Sequence, residues 1–258
     1  MDDDVIPVRE LLELLATAVR CAEAASDNLR FDFSNEQHRV CVGLLQAVIE
    51  YAKAIHLVAR HGMYYACSPL NRSALDALVD IRNACADRAY CENLALRDAQ
   101  AWDELLREAS WGKNPLFAPI SESESLPPGR RMFSERIKKL QSQDVEVKEP
   151  EARFVLAGMG NEYEAAYRPL SAEAHNNVSF ITRHFLDTNT DGLRIRGSRP
   201  GNGAPIGAAL MMTEYVIDAT ERVLKLCGHG PAMVTLAPAK DALSGILERL
   251  GESAKPIS

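Results

Sequence analysis

The chain holds 258 residues, 47% hydrophobic and 25% charged, with 36 acidic residues against 29 basic ones and a formal charge of −7. This composition excludes a disordered chain, a collagen-like fibre and a disulfide mini-protein, and the length suits one or two domains with their own cores. No stretch approaches about 18 uninterrupted apolar residues, and the opening Met-Asp-Asp-Asp carries the wrong charge for a secretory leader, so a cytoplasmic protein with no membrane partner is expected. The six cysteines (Cys21, Cys41, Cys67, Cys85, Cys91 and Cys227) include no CxxC pair. They read as reduced thiols used as small hydrophobes, and no cofactor or metal is expected.

In chain order, residues 6–27 alternate apolar and polar side chains at helical spacing, with Val8, Leu11, Leu12, Leu15 and Val19 on one stripe. A second helix is expected to begin at Ser34, with Gln37 at capping-box spacing, and to end at Gly62. Ser68-Pro69 signals a third helix running to about Tyr90, and a fourth follows from about Cys91 to Trp111, stopped by Gly112. Residues 113–129 carry Lys-Asn-Pro, Ser-Glu-Ser-Glu-Ser and Pro-Pro-Gly, which predict a surface loop excursion rather than a domain boundary.

A short basic helix is expected at 130–142 and another over 150–167, interrupted by Gly158 and Gly160. Pro169 is expected to break that helix and start the next, which would run to about Phe185. Leu193-Arg194-Ile195-Arg196 alternates, so a small strand or hairpin is expected near 190–200. A long apolar helix closes at Gly228, and a linker after Pro231 leads to a short amphipathic helix at 240–250. The expected fold class is all-α: a bundle of seven to nine helices as one domain over 1–230, with residues 231–258 appended.

Charge is unevenly distributed. Residues 130–139 carry Arg130, Arg131, Arg136, Lys138 and Lys139 against Glu135 alone, and residues 183–199 carry Arg183, Arg194, Arg196 and Arg199 against Asp187 and Asp191. These are either solvated faces or local phosphate-facing patches. Two constellations place polar residues among apolar ones. Arg72 and Asp76 are four apart and share a helix face, as a surface ion pair or as a buried polar pair.

Arg168 and His175 differ by about 700°, some 20° short of two turns, and lie roughly 10 Å apart along a helix axis. Ser171 lies between them. Such a pair suits metal-free RNA cleavage. Histidine titrates near neutrality and can take the proton of a ribose 2′-hydroxyl, while arginine faces the developing phosphorane charge. The alternative is a histidine that hydrogen-bonds between packed helices. Glu173, His175 and His184 are weaker candidates as metal ligands, because the ExxH pairs of di-iron bundles are missing.

Arg72-Ser73-x-x-Asp76 followed by Tyr167-x-x-Leu170-Ser171-x-x-x-His175 resembles an uncharacterised bacterial all-helical family whose pattern is R-S-x-x-E, then Y-x-x-L-S-x-x-x-H. Aspartate here replaces the pattern's glutamate. The resemblance spans about residues 35–225. Arg168-x(6)-His175 is also similar to the R-x(4–6)-H signature of HEPN domains, helical and often dimeric metal-independent ribonucleases of toxin–antitoxin and defence systems.

That similarity implies Arg168, His175 and Ser171 as catalytic residues. Arg72, Asp76, Tyr167 and Asn176 would bind substrate, RNA would be the partner, and a homodimer would be the working form. The competing expectation is a non-catalytic bundle that binds a protein partner or small ligand, with the Arg/Asp and Ser/His groups as a structural polar network.

Overall fold

The computed structural model describes residues 6–189, 192–195 and 204–253. Its elements run α1 (Val8–Asp27), α2 (Glu36–Arg60), α3 (Cys67–Ala86), α4 (Tyr90–Ser110), α5 (Ala118–Ser121), α6 (Leu126–Gln141), α7 (Pro150–Leu156), α8 (Gly160–Glu162), α9 (Arg168–Ala174) and α10 (Val178–Phe185). A two-stranded antiparallel hairpin follows, β1 (Leu186–Asn189) with β2 (Gly192–Ile195), then α11 (Ala204–Leu226) and α12 (Ala237–Ser253). The fold is all-α with this one small hairpin. It pairs Leu186 with Ile195 and Asp187 with Arg194, a few residues earlier than the alternation suggests.

The chain forms two compact units, Met1–Cys85 with Phe154–Ser258, and Ala86–Arg153. In the first, α1, α2 and α11 pack together. Leu11, Leu15, Leu45, Ile49, Ile55, Met212 and Leu224 are fully buried there. Each such aliphatic side chain is worth about 1.5–3 kcal/mol. Helix α3 joins α11 through Arg82 Nε, 2.7 Å from Asp218 Oδ2, and through Asn71, whose amide donates to the Ala208 carbonyl at 3.4 Å.

Helix α12 starts earlier than its sequence pattern suggests and is preceded by a 3-10 stretch, Gly230–Leu236, in place of the expected linker. Its Ile246 packs with Ile6, Leu11, Leu14 and Ala209. In the second unit α4 lies along α6, with Trp102 stacked on Phe133 at 6.1 Å. Residues 113–129 are not the extended loop expected. They hold a 3-10 turn at Pro115–Phe117, helix α5 and the first turn of α6, because Asn114 caps one turn and the prolines at 115 and 119 suit helical N-termini.

One helix among the described residues, α2, is long and apolar enough to cross a membrane by length and composition. Here its apolar stripe, Cys41, Leu45, Val48, Ile49, Ala52 and Ile55, is buried. Its start differs from expectation by one residue. Asn35 is the cap and accepts from Gln37 N at 3.0 Å, while Ser34 bonds Asp32. The Gln37 side chain does not close a capping box. Its amide donates instead to the Ala84 carbonyl at 2.6 Å, tying α2 to the end of α3. Gly62 stops α2 as expected, at φ 74°, in the left-handed region where a side chain is strained.

The stretch 150–185 is cut more finely than the sequence suggests, which takes the number of helical segments above the expected seven to nine. Gly158, at φ 68°, ends α7. Pro169 does not break the helix. The chain passes from α8 through a π-helical turn, Tyr163–Tyr167, straight into α9, and the Arg168 N–H reaches the Tyr163 carbonyl five residues back. Proline offers no N–H and its ring crowds the preceding turn, so a widened turn just before it lets the helix continue. The break comes later. Asn176 takes φ 53°, its N–H bonds the Glu173 carbonyl, and the Asn177 N–H bonds the Ala172 carbonyl. This is a Schellman-like helix end with asparagine in glycine's usual place. Asn177 then caps α10 through Ser179 N at 3.0 Å.

Candidate functional site

The two motifs, almost a hundred residues apart in sequence, meet where α3 faces the π turn and α9. Arg72 Nη2 donates to the Tyr167 hydroxyl at 3.0 Å. The same guanidinium lies 5.3 Å from the Tyr167 ring centre and 3.7 Å from Asp76 Oδ2. The side chains of Arg72 and Asp76 are 28% and 25% exposed, so the pair is neither a free surface bridge nor a sealed one. Arg72 Nε is buried without a hydrogen-bond partner among the described residues. Ser73 turns inward on its own helix, its hydroxyl donating to the Pro69 carbonyl at 3.0 Å.

Tyr167 is held from its other side by rings. Tyr163 stacks on it at 5.5 Å, and the fully buried Phe154 sits 4.9 Å away. About two turns further along, the Tyr65 hydroxyl lies 3.2 Å from the Glu173 carbonyl oxygen and 3.3 Å from Asn176 Oδ1, sharing its proton between them. Tyr65 and Phe185 pack at 5.0 Å. Helix α9 is therefore pinned at both ends, by Arg72 at Tyr167 and by Tyr65 at the Asn176 corner. Tyr65, Phe154 and Tyr163 lie outside the residues expected from the sequence. The four-residue spacing of Tyr163 and Tyr167 was a usable signal for an aromatic stripe, but nothing local marks Tyr65.

The remaining expected residues lie toward solvent. Arg168 opens α9, exposed, with Nη1 2.7 Å from Glu164 Oε2. His175 is the C-cap of α9 and is exposed. Its N–H still bonds the Ser171 carbonyl at 3.0 Å, so its Cα stays on the helical path that puts Arg168 and His175 on nearly one face. Among the described residues no group hydrogen-bonds the His175 imidazole, unlike His229, whose Nε2 lies 2.8 Å from the Arg30 carbonyl oxygen. Ser171 is half-buried between Arg168 and His175, and Asn176 is spent on the helix end and on Tyr65.

No three His, Cys, Asp or Glu side chains come together as a metal site among the described residues. The His184 side chain lies outside them, as do those of Arg183, Arg194, Arg196 and Arg199. The basic run 130–139 lies on α6 in the second unit.

Fold and site together define an all-helical protein whose polar centre is built from an R-S-x-x-D helix and a Y-x-x-L-S-x-x-x-H helix. The sequence model of a family of unknown function (DUF5677) matches residues 38–193, a span that contains both motifs, and the chain belongs to that family. No curated protein and no solved structure matches the chain.

Proposed function

We propose that the protein binds RNA and cleaves it without a metal, as HEPN domains do, in a cytoplasmic defence or toxin–antitoxin setting. His175 would take the proton from a ribose 2′-hydroxyl. The 2′-oxygen bonds to phosphorus, the bond to the 5′-oxygen breaks, and that oxygen leaves with a proton from solvent. Arg168 would face the phosphorane oxygens, with Ser171 and Asn176 beside them.

The observation that carries this reading is His175, an exposed imidazole with no hydrogen-bond partner among the described residues, at a motif position on nearly the same face as Arg168. The π turn just before Arg168 adds support, since such turns concentrate at functional sites.

A second reading is favoured by the pairing of both motif arginines with carboxylates, Arg72 with Asp76 and Arg168 with Glu164. On it, the protein is a non-catalytic bundle that binds a protein partner or small ligand, and these groups are a structural network.

Purified protein is incubated with tRNA and with mRNA in excess chelator, beside His175→Ala. The first reading expects cleavage that survives the chelator and vanishes in the variant, with the thermal midpoint unchanged because His175 is exposed. No cleavage of either RNA by the wild type overturns it and leaves the second.

A further inference from the structure

The cysteines belong to none of the chemistry above, yet two of them are neighbours in space. Cys41 is buried on α2, and Cys85 is half-buried near the end of α3. Their sulfurs are 3.7 Å apart and hydrogen-bonded, although 44 residues separate them in sequence. A disulfide bond is about 2 Å long, so closure has only to bring two sulfurs already in contact somewhat nearer.

We propose that Cys85 and Cys41 form an oxidant-responsive thiol pair that closes to a disulfide between α3 and α2 when a peroxide reaches Cys85. The Cys85 thiolate attacks a peroxide oxygen, becoming a sulfenic acid as the peroxide bond breaks. The Cys41 sulfur then attacks the sulfenic sulfur and water leaves. The two thiols give two electrons, and hydrogen peroxide becomes two waters.

Selectivity follows from the surroundings. The hydrogen bond with Cys41 holds the Cys85 thiol below the ordinary range against the opposing effect of burial. The Arg222 charge adds to that lowering and Asp218 partly opposes it. Burial pushes Cys67 up to about 11. Cys227 is raised by burial and by the charge of Cys85, so it stays protonated while Cys85 reacts. The Gln37 amide on the Ala84 carbonyl already fixes α2 beside this end of α3, so closure needs little backbone movement.

The full-length protein is reduced, freed of reductant, treated with hydrogen peroxide, alkylated and mapped by mass spectrometry without reduction. The expected product is one linked peptide pair containing Cys41 and Cys85, two hydrogens lighter than the separate peptides and released by dithiothreitol. It persists in Cys227→Ser and is absent from Cys85→Ser. Three results would overturn the proposal: Cys85 oxidised to sulfinic or sulfonic acid with no link, Cys85 linked to Cys227 instead, or both thiols intact at a peroxide dose that oxidises free cysteine. The central result comes from the wild-type chain, so a variant that fails to fold does not decide it.

Discussion

Tyr167→Phe isolates the contact that joins the two motifs. The substitution keeps the ring, and with it the stack on Tyr163, the packing on Phe154 and the face presented to Arg72. It removes only the hydroxyl that accepts from Arg72 at 3.0 Å. A hydrogen bond to a charged group contributes about 1.5–3 kcal/mol. The Arg72 side chain is 28% exposed, so water takes over part of that role and the expected loss falls to about 1 kcal/mol. Urea unfolding should show a midpoint lowered by about 0.3–1 M with an unchanged slope.

Arg72→Met completes a double-mutant cycle whose coupling energy should be about 1 kcal/mol. Tyr167→Ala, which also empties a site only 7% exposed, should cost about 3–5 kcal/mol. A coupling below about 0.3 kcal/mol would refute the argument, because the hydroxyl and the guanidinium would then contribute independently.

Asn35→Ala should cost about 1 kcal/mol by removing the cap on Gln37 N, whereas Ser34→Ala, which touches only the exposed Asp32, should stay within about 0.5 kcal/mol. Equal losses in thermal melts would refute the assignment of the capping contribution to Asn35 alone. Burial raises the Cys67 thiol from 9.0 to about 11, so the folded chain holds that proton more tightly than the unfolded one. The stability it contributes is complete below about pH 9 and is lost as pH rises through about 11. The difference in urea midpoint between wild type and Cys67→Ala should therefore shift against the wild type across that window, and a difference independent of pH would contradict it.

Much of the fold was legible because helix starts and stops are local chemistry. Gly62 and Gly112 end their helices where glycine is expected, and the apolar stripes of α1 and α2 face the core as their spacing requires. Pro169 misled because its effect depends on the preceding turn, which widened instead of breaking. The true break at Asn176 was hidden because asparagine reaches the left-handed region only when its surroundings hold it there, and here the Tyr65 hydroxyl from another element does so. At the site, the sequence named Arg72, Asp76, Tyr167 and His175. It left out Tyr65, Phe154 and Tyr163, since which rings converge is a property of helix packing and not of spacing along one segment.

The two motif arginines are not equivalent, and the difference bears on how the proposed reaction would work. Arg168 and Glu164 are 64% and 59% exposed, and such a bridge is worth about 0–1 kcal/mol. Trading the Glu164 contact for an arriving phosphodiester costs little, because both of these side chains are already solvated. Arg72 is half-buried and held at once by Asp76 and by the hydroxyl of Tyr167. Pulling it toward a ligand would break two contacts and loosen α9 from α3. On the proposed reading the labour divides by depth. The inner residues fix the angle of α9, while Arg168 and His175 on its outer face are exposed to solvent, where substrate would meet them.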